Sequence, residues 1–398
     1  TCQLLAGELF PDEVFTNSGL TGRQMQAKAK NMLYDWFVTF RKEGFTEWNS
    51  SPYLPIDTLG FGSLYAFAQD PAMRELGREG MDFAYYLLAV HSQQGIFASS
   101  SGRTYIKEQF GNWSNCPSGL SWIGYGYGVP GHAGKGITSY CLSDYEPPKE
   151  LAQWFSIPRG KEMICQTTQG NDGYVDLYTY KTADYMMTSA NDFHPGEPGH
   201  QENPFQLTFN AVAQLWVTHP GERVLFGAAR PSYWAGNGTL PKVNQYKAFA
   251  GLIYDIAPEH PVDFTHLYLP SMEFDRCEVE GKWAFVQLGS AYAAVYCSNG
   301  MRMQDFGSNK DRECIAEGRR CIWLVRAAQA DEFAAFEDFK AAMRGAALDA
   351  DAEGRRYRFV DPVYGELRCQ WGETLYVNDA PMQYSGFDNY GKLTMQEK

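Results

Sequence analysis

The sequence predicts an α+β multidomain chain in which a helical half is followed by a half built of antiparallel strands. Helical periodicity between residues 21 and 95, and alternating periodicity beyond about Asp172, support this prediction. The chain has 398 residues, of which 44% are hydrophobic, so a substantial core can form. A chain of this length exceeds one average domain, and we expect two, covering residues 1–170 and 171–398.

The helical half is predicted from apolar residues that recur three and four positions apart. The first stripe contains Met25, Ala29, Met32, Leu33, Trp36 and Phe40. Similar patterns cover residues 56–67 and 76–90, and a shorter one covers 147–155. Gly44, Pro71 and Gly95 separate the long patterns. Because the connections are short, consecutive helices should be antiparallel neighbours.

Residues 95–134 are rich in Gly, Ser, Trp and Tyr and include Trp122-Ile-Gly-Tyr-Gly-Tyr-Gly. We expect this run not to form a regular helix. Long irregular segments in compact domains often carry function, so we interpret residues 95–134 as an ordered loop that faces a substrate.

The second half is predicted to be an antiparallel sandwich, because short alternating or apolar runs are separated by Gly, Pro, Asn and Asp. These runs begin at Val175, Gln206, Gln214, Trp283, Tyr292, Arg320, Arg356 and Glu373. One helix, near residues 332–347, interrupts the series.

Composition and charge limit the classes of partner. The net charge is −13 and no basic run is present, which argues against nucleic acid. A local pair of Arg or Lys would still suit an anionic sugar. Aromatic residues make up 15% of the chain, which fits sugar-stacking surfaces and large cores equally well.

The nine cysteines include no Cys-x-x-Cys pair, so we expect free thiols in a reducing, cytoplasmic compartment. No membrane span or signal peptide is visible in the sequence. The chain begins at Thr1 without an initiator Met, which suggests that it is part of a longer protein.

A cluster of polar residues between two helical patterns is the most informative motif. Glu47, Asn49, Tyr53 and Asp57 fall within eleven residues. Unpaired polar groups are costly to bury, so such a cluster either caps a helix or lines a site.

Three segments together resemble the heparinase II/III-like family. They are Glu-x-x-Ser-x-x-Tyr-x-x-x-Asp from Glu47, the segment 185–203 that opens the sheet half, and Tyr233-Trp-Ala-Gly-Asn-Gly-Thr-Leu-Pro. The resemblance implies an (α/α) toroid followed by a β-sandwich, and action on uronic-acid polysaccharides by lyases or β-glucuronidase-type hydrolases. The toroid portion would be incomplete, because the sequence predicts only about five helices, fewer than a full toroid contains. Asn203 stands where the family pattern has a His.

A glycoside hydrolase requires two carboxyl groups beside the glycosidic bond. The candidates are Glu47 and Asp57 from the opening motif, Glu108 beside Arg103, and three carboxylates of the later segment, namely Asp192, Glu197 and Glu202.

A polysaccharide lyase requires a base, an acid for the leaving oxygen and groups that neutralise the uronate carboxylate. Tyr53 with Asn49 could serve, supported by Arg103 and Tyr105, and by His194 or His200. Hydrolysis is slightly favoured over elimination, because most of the candidate catalytic residues are carboxylic acids. In addition, Asn203 stands in place of a histidine that a lyase could have used.

The sequence also suggests sugar-binding residues, a possible cation site and a function other than catalysis. Trp122, Arg230 and Trp234 are predicted to bind sugar, although the two rings beside Arg230, Tyr233 and Trp234, would equally suit a β-turn with core-facing rings. No cofactor is required, and a structural divalent cation near His194 and His200 competes with a hydrogen-bonded turn. A non-catalytic glycan-binding protein is the second alternative, and edge strands permit a homodimer.

Overall fold

The computed structural model describes residues 1–109, 114–130, 136–171 and 174–398. Three long helices and several short ones come first, followed by sheets. The helices are α1 Cys2–Leu9, α2 Gly22–Glu43, α3 Leu54–Phe67, α4 Pro71–Val90, α5 Ile106–Gln109, α6 Ser118–Tyr125, α7 Ile137–Cys141, α8 Ala152–Phe155 and α9 Phe336–Gly345.

Local sequence explains where the long helices begin and end. Thr21 and Gln24 form a reciprocal capping box at the start of α2, and Gly44 ends the helix with a φ of 68°. Asp70 accepts the backbone N–H of Ala72 at 2.9 Å and caps α4. Helices α1 and α2 pack together, as do α3 and α4, as expected for helices joined by short connections.

Strands follow from Lys161 onward, after one early hairpin. They are β1 Val14–Phe15, β2 Leu20–Thr21, β3 Lys161–Gln169, β4 Val175–Lys181, β5 Met186–Asn191, β6 Phe205–Thr208, β7 Gln214–Thr218, β8 Lys242–Tyr246, β9 Phe249–Asp255, β10 Phe264–Tyr268, β11 Arg276–Glu280, β12 Trp283–Leu288, β13 Ala291–Cys297, β14 Arg302–Met303, β15 Glu313–Glu317, β16 Arg320–Gln329, β17 Leu348–Asp351, β18 Arg356–Asp361, β19 Gly365–Gln370, β20 Tyr376–Val377, β21 Ala380–Pro381 and β22 Lys392–Glu397.

The strands form one hairpin and three larger sheets. The nine-stranded sheet has the order β14-β15-β10-β7-β6-β5-β4-β3-β22, and the six-stranded sheet β11-β12-β13-β16-β9-β8. A five-stranded meander contains β17 to β21 in order, and β1 pairs with β2. Neighbouring strands in the described residues are antiparallel, for example along the ten-residue β16. The α+β organisation predicted from the sequence is therefore confirmed.

Two apolar clusters hold these layers together. The larger cluster combines residues of the nine-stranded and six-stranded sheets, such as Leu207 and Val325, with residues of the meander, such as Phe359. The second cluster is helical, but it includes Met163 and Cys165 of β3. Because the helices pack on one end of the large sheet, segments from both halves can meet at their junction.

Two details of the structure differ from the sequence-based expectations. Helix α6 runs into the Trp122-to-Gly128 segment, where no regular helix was expected, and ends at Gly126 with a φ of 73°. The prediction failed because glycines at every second position usually interrupt a helix. In α6, Gly124 packs closely against the Tyr85 ring, and the helix continues through it. Strand β3 begins before residue 171, and the toroid and the domain boundary stay predictions.

All nine cysteines are free thiols, as predicted. Cys297 Sγ and Cys321 Sγ lie 3.3 Å apart between adjacent strands. In the described residues, no helix combines the length and the apolar character needed to cross a bilayer.

Candidate functional site

The candidate site lies where three chain segments meet at the junction of the helices and the large sheet. The segment before α3 contacts the segment before α5, because Gly102 N donates to Trp48 O at 2.8 Å. The segment before α5 contacts the β5–β6 connection, because Thr104 N donates to Gln201 O at 3.1 Å. Gln201 Nε2 returns a hydrogen bond to Thr104 O at 2.9 Å. Residues far apart in sequence are thereby fixed beside one another.

Gly102 allows the closest of these approaches. A Cβ atom at this position would lie 2.6 Å from the Trp48 indole nitrogen. Trp48 is itself buried and packs edge-on against Phe193, with ring centroids 5.5 Å apart. The indole therefore has little room to move, and the position requires glycine.

Arg103 is the centre of the polar contacts. Arg103 Nη1 donates to Glu47 Oε1 at 2.9 Å, and Nη2 donates to the Tyr105 hydroxyl at 3.2 Å. The guanidinium carbon also lies 4.9 Å from the centroid of the Tyr53 ring. On the other side, the guanidinium of Arg230 lies 5.4 Å from the Tyr105 ring. We call Glu47, Tyr53, Arg103, Tyr105 and Arg230 the central cluster.

The two tyrosines of the cluster are shifted in opposite directions. The hydrogen bond from Arg103 lowers the pKa of Tyr105, because the guanidinium stabilises a phenolate, and the charge of Arg230 acts in the same direction. A hydrogen bond to Tyr105 raises the pKa of Tyr53 and outweighs the opposite influence of Arg103. Tyr105 is therefore suited to act as a base, and Tyr53 is suited to keep its proton.

A carboxyl group with an unusual pKa lies next to this cluster. Asp57 is in the first turn of α3, where burial, reinforced by the charge of Glu47, raises its pKa to about 7. Such a group can hold a proton at neutral pH and release it, as a general acid must.

Three clefts adjoin the central cluster. The acidic cleft, about 500 Å³, includes Asp35, Trp36, Glu47, Tyr53 and Asp57 in its lining. The central cleft, about 190 Å³, is lined by residues of all three segments, among them Glu47, Arg103, Tyr174, His200, Gln201 and Glu202. The basic cleft, about 610 Å³, includes Tyr105, Lys107, Gln201 and Arg230.

The three clefts form a series, which we call the groove. Glu47 lines both the acidic and the central cleft, and Gln201 lines both the central and the basic cleft. A chain-like ligand could therefore contact all three in turn, which suits a polysaccharide better than a small molecule.

His200 and Asn49 are the other predicted residues close to the cluster. His200 lines the central cleft, and its Nδ1 lies 3.3 Å from the Arg230 carbonyl. Asn49 is buried with a φ of 46°, and neither atom of its side-chain amide has a partner among the described residues. A left-handed backbone and an unpaired buried amide are costly, and such features concentrate at functional sites.

Glu108 lies outside this series of clefts. Its carboxyl group is buried beside Lys107, with the Lys107 Nζ at 3.2 Å from Glu108 Oε1. Burial raises the pKa of Glu108, although Lys107 opposes the shift. Glu108 is buried, so its carboxyl group belongs to the packed interior and does not line any of the three clefts.

The His194 side chain lines none of the three clefts. His194 packs against Phe193 and Tyr174, and its Nδ1 lies 3.6 Å from a Glu197 carboxylate oxygen. Asp192 pairs with Lys242. Within the described ranges, no group of three or more His, Cys, Asp or Glu side chains is arranged to hold a metal ion. The cation suggested near His194 and His200 stays a prediction.

The two predicted tryptophans are not at the groove. Trp122 is 47% exposed on α6 and lines none of the three clefts. Trp234 is 2% exposed and stacks on His266, with ring centroids 4.2 Å apart, so it belongs to the core. Asn203 is likewise buried and donates to Gln206 Oε1 at 2.8 Å.

Two residues that line the central cleft, Tyr174 and Gln201, were not predicted from the sequence as site residues. Gln201 follows His200 directly, and its place in the segment resembling the family was the only signal available. Tyr174 is one of 25 tyrosines and carries no distinguishing spacing.

Comparisons with known proteins give limited information. No protein family matches the sequence, and no curated protein matches it. A crystal structure of heparinase III is similar, with a TM-score of 0.43 and 10% sequence identity over 94% of this chain. The aligned region spans 66% of the length of heparinase III. A similarity of this size carries no argument about activity and lends no support to the predicted preference for hydrolysis.

Proposed function

We propose that this protein cleaves a polysaccharide at a uronic acid residue by β-elimination. The observation that carries the proposal is the contact between Arg103 and the Tyr105 hydroxyl at 3.2 Å, which lowers the pKa of that phenol. A phenolate beside two arginines can take a proton from a carbon next to a carboxylate, while the same arginines stabilise the negative charge that develops.

The proposed reaction uses the two tyrosines in opposite roles. The Tyr105 phenolate removes the proton α to the uronate carboxylate, and the electron pair forms a carbon–carbon double bond. The bond to the 4-linked oxygen breaks, and Tyr53 donates its proton to that oxygen. The hydrogen bond between the two hydroxyls then returns a proton from Tyr105 to Tyr53, which restores the starting state.

Hydrolysis is the second candidate, because two carboxyl groups line the acidic cleft together. Asp57, with its pKa raised to about 7, would be the general acid, and Glu47 would be the base or nucleophile. Arg103 Nη1 already donates to Glu47 Oε1 at 2.9 Å, which holds this carboxyl group at the cleft.

The decisive experiment follows two signals during incubation with oligosaccharides that contain glucuronate or iduronate. Elimination produces a conjugated double bond and thus ultraviolet absorbance, together with new reducing ends. Hydrolysis produces reducing ends alone. We expect absorbance, and we expect Tyr105→Phe to lower kcat by about 10²- to 10⁴-fold because the base is lost.

Tyr34→Phe is the matched control, since Tyr34 lies exposed on α2 and lines none of the three clefts. Reducing ends without absorbance would replace elimination by hydrolysis at Asp57 and Glu47. Binding without either product would contradict both enzymatic mechanisms and leave a glycan-binding protein.

A further inference from the structure

We infer that Cys297 and Cys321 form a redox modification site, in which a peroxide oxidises the two thiols to a reversible disulfide. The site lies in the six-stranded sheet, where Cys297 is the last residue of β13 and Cys321 is the second residue of β16. The inference goes beyond the proposed function and does not depend on it.

The pairing of the two strands brings the thiols together. Cys297 is opposite Trp323 in the antiparallel pair, so Cys321, two residues away from Trp323, lies on the same face of the sheet. Diagonal neighbours of this kind can contact one another, and here the two Sγ atoms lie 3.3 Å apart. A disulfide bond is about 2.05 Å long, so the sulfurs must approach by about 1.3 Å.

The regular pairing of β13 and β16 ends beside the two cysteines. Ser298 N donates to Ile322 O at 2.9 Å, as in a regular ladder. Ile322 N, however, donates to the Ser298 side-chain hydroxyl at 2.9 Å. The backbone next to Cys297 is therefore less tightly held than the middle of either strand, and rotation of the two side chains can bring the sulfurs into bonding distance.

Both sulfurs are buried, but they lie close to the surface of the protein. Cys297 and Cys321 have no exposed surface, whereas Asn299 and Arg320 beside them are exposed. The ends of strands open locally at a lower cost in free energy than the middle of a sheet. A peroxide is small enough to reach the thiols through such an opening.

The surroundings of the two thiols differ, which indicates the one that reacts first. Burial raises the pKa of Cys297 well above its usual value. Burial also disfavours the ionised form of Cys321, but hydrogen bonds outweigh this effect and lower the pKa of that thiol. The donors are the Cys297 thiol, the Thr265 and Ser298 hydroxyls and the backbone N–H of Asn299. Cys321 is therefore the thiol that reacts as a thiolate.

The reaction consumes one peroxide and two thiols and, with hydrogen peroxide, forms two waters. The Cys321 thiolate attacks one peroxide oxygen, the O–O bond breaks, and the released hydroxide takes up the proton that Cys321 had lost. The Cys297 sulfur then attacks the sulfenic acid of Cys321. The S–S bond forms, and the hydroxyl group leaves as water with the Cys297 proton. A small thiol reverses the reaction by exchange.

The disulfide would fasten a connection that links two sheets. Between the two cysteines the chain leaves the six-stranded sheet, forms β14 and β15 at the edge of the nine-stranded sheet, and returns in β16. A bond between Cys297 and Cys321 closes this excursion at its base.

The test oxidises the whole chain with hydrogen peroxide and counts the thiols after unfolding. Cys2→Ser and Cys141→Ser are introduced first, because these exposed thiols would react on their own. We expect the thiol count of this background to fall by two on oxidation and to be restored by dithiothreitol. Tryptic peptides 283–302 and 321–326 should be recovered as one linked species, lighter by two hydrogens than the separate peptides together.

Three variants in the same background locate the reaction. Cys297→Ser and Cys321→Ser should each lose no thiol to a disulfide under the same conditions. Cys165→Ser is the matched control, because Cys165 is also buried but its sulfur lies beside the Tyr86 hydroxyl, at 3.9 Å. This variant should still lose two thiols.

An unchanged thiol count would overturn the site, and so would a cross-link between other cysteines. Sulfinic acid on Cys321 without a linked peptide would overturn it too, since the two sulfurs would then not react with each other. The peptide map requires no substitution at the pair, so it decides the question even if a serine variant fails to fold. The outcome is independent of whether any oligosaccharide is cleaved.

Discussion

At the scale of single residues, the site depends on how one guanidinium is shared. Arg103 contacts Glu47, the Tyr53 ring and the Tyr105 hydroxyl at once, and the three contacts have different consequences. The sequence suggested Arg103 as the partner of a tyrosine base, but it favoured Tyr53. The hydrogen bond goes to Tyr105 instead, because the backbone of this segment places both side chains on the groove.

Asp57 gives a prediction about pH. Its pKa rises from 3.8 to about 7 on folding, so the native state holds a proton that the unfolded state has lost in this range. Stability from this group is therefore present at low pH and is lost as pH rises through 7. We expect Asp57→Asn, which cannot ionise, to gain in Tm relative to the native protein between pH 4 and pH 8.

The measurement is a series of thermal unfolding curves across this range of pH. Asp35→Asn is the control, because Asp35 is an exposed carboxylate of the same cleft. A constant difference in Tm between Asp57→Asn and the native protein at every pH would mean that the Asp57 carboxyl group is not perturbed.

At the scale of structural elements, the site depends on the contact between the segments before α3 and before α5. In Gly102→Ala, the added Cβ would lie 2.6 Å from the Trp48 indole nitrogen, so one segment must move. We expect a loss of about 1–3 kcal/mol in the free energy of unfolding, as for other overpacked cores. Turnover should fall too, since Arg103 follows directly.

Gly60→Ala provides the comparison for this prediction, measured by denaturant unfolding. Gly60 lies within α3, and an added Cβ would meet no atom closer than 3.9 Å. Alanine there should be neutral or stabilising by about 0.5–1 kcal/mol, because glycine is unfavourable inside helices. Equal stability of Gly102→Ala and the native protein would contradict the packing argument.

A buried lysine connects strand β4 to two helix ends. Lys181 Nζ donates to the carbonyls of Ala89, near the end of α4, and Trp154, in α8, at 2.9 and 2.8 Å. Lys181→Met removes both donors, and we expect a loss of about 1–3 kcal/mol in the free energy of unfolding. Lys149→Met, at an exposed position, should change it by less than about 0.5 kcal/mol.

The lysine prediction also has a pH dependence. Burial lowers the pKa of Lys181 from 10.5 to about 7, so the unfolded state binds more protons between these values. The stability of the native protein relative to Lys181→Met should therefore increase as pH rises above 7. Denaturant unfolding at several pH values measures this, and a difference that decreases with pH would contradict it.

At the scale of the whole molecule, the end of the chain ties the sheet to the helices. Strand β22 pairs with β3, and just before it the Tyr390 ring packs on Phe83 and Tyr86 of α4, with centroids 4.9 and 5.0 Å apart. We expect Tyr390→Ala to cost about 1–3 kcal/mol in the free energy of unfolding, because a half-buried ring is lost.

Phe306→Ala is the control for the ring, since Phe306 is 70% exposed. Denaturant unfolding followed by circular dichroism measures both helices and strands. If Tyr390→Ala were as stable as the native protein, the contact between the chain end and α4 would not contribute to holding the two layers together.

Much of the element order could be predicted from the sequence. The capping box at Thr21 and the apolar stripe of α2 are local signals, and so is the short apolar run at the start of β16. Helix α6 was missed because Gly124 is accommodated through close packing against Tyr85, which is a tertiary contact. Asp57, Glu47 and Tyr53 were predicted together because they are neighbours in the sequence.

The sequence by itself determined the helical and strand halves, the free thiols, the absence of a basic surface run and the cluster from Glu47 to Asp57, because these depend on local spacing and composition. Only the tertiary structure decided that Tyr105 and not Tyr53 accepts the Arg103 hydrogen bond, and that Trp234 is buried. The position of the Arg103 guanidinium depends on Glu47, 56 residues away, and the burial of Trp234 involves contacts such as that with Asn309, 75 residues away. Local periodicity does not specify contacts at such separations.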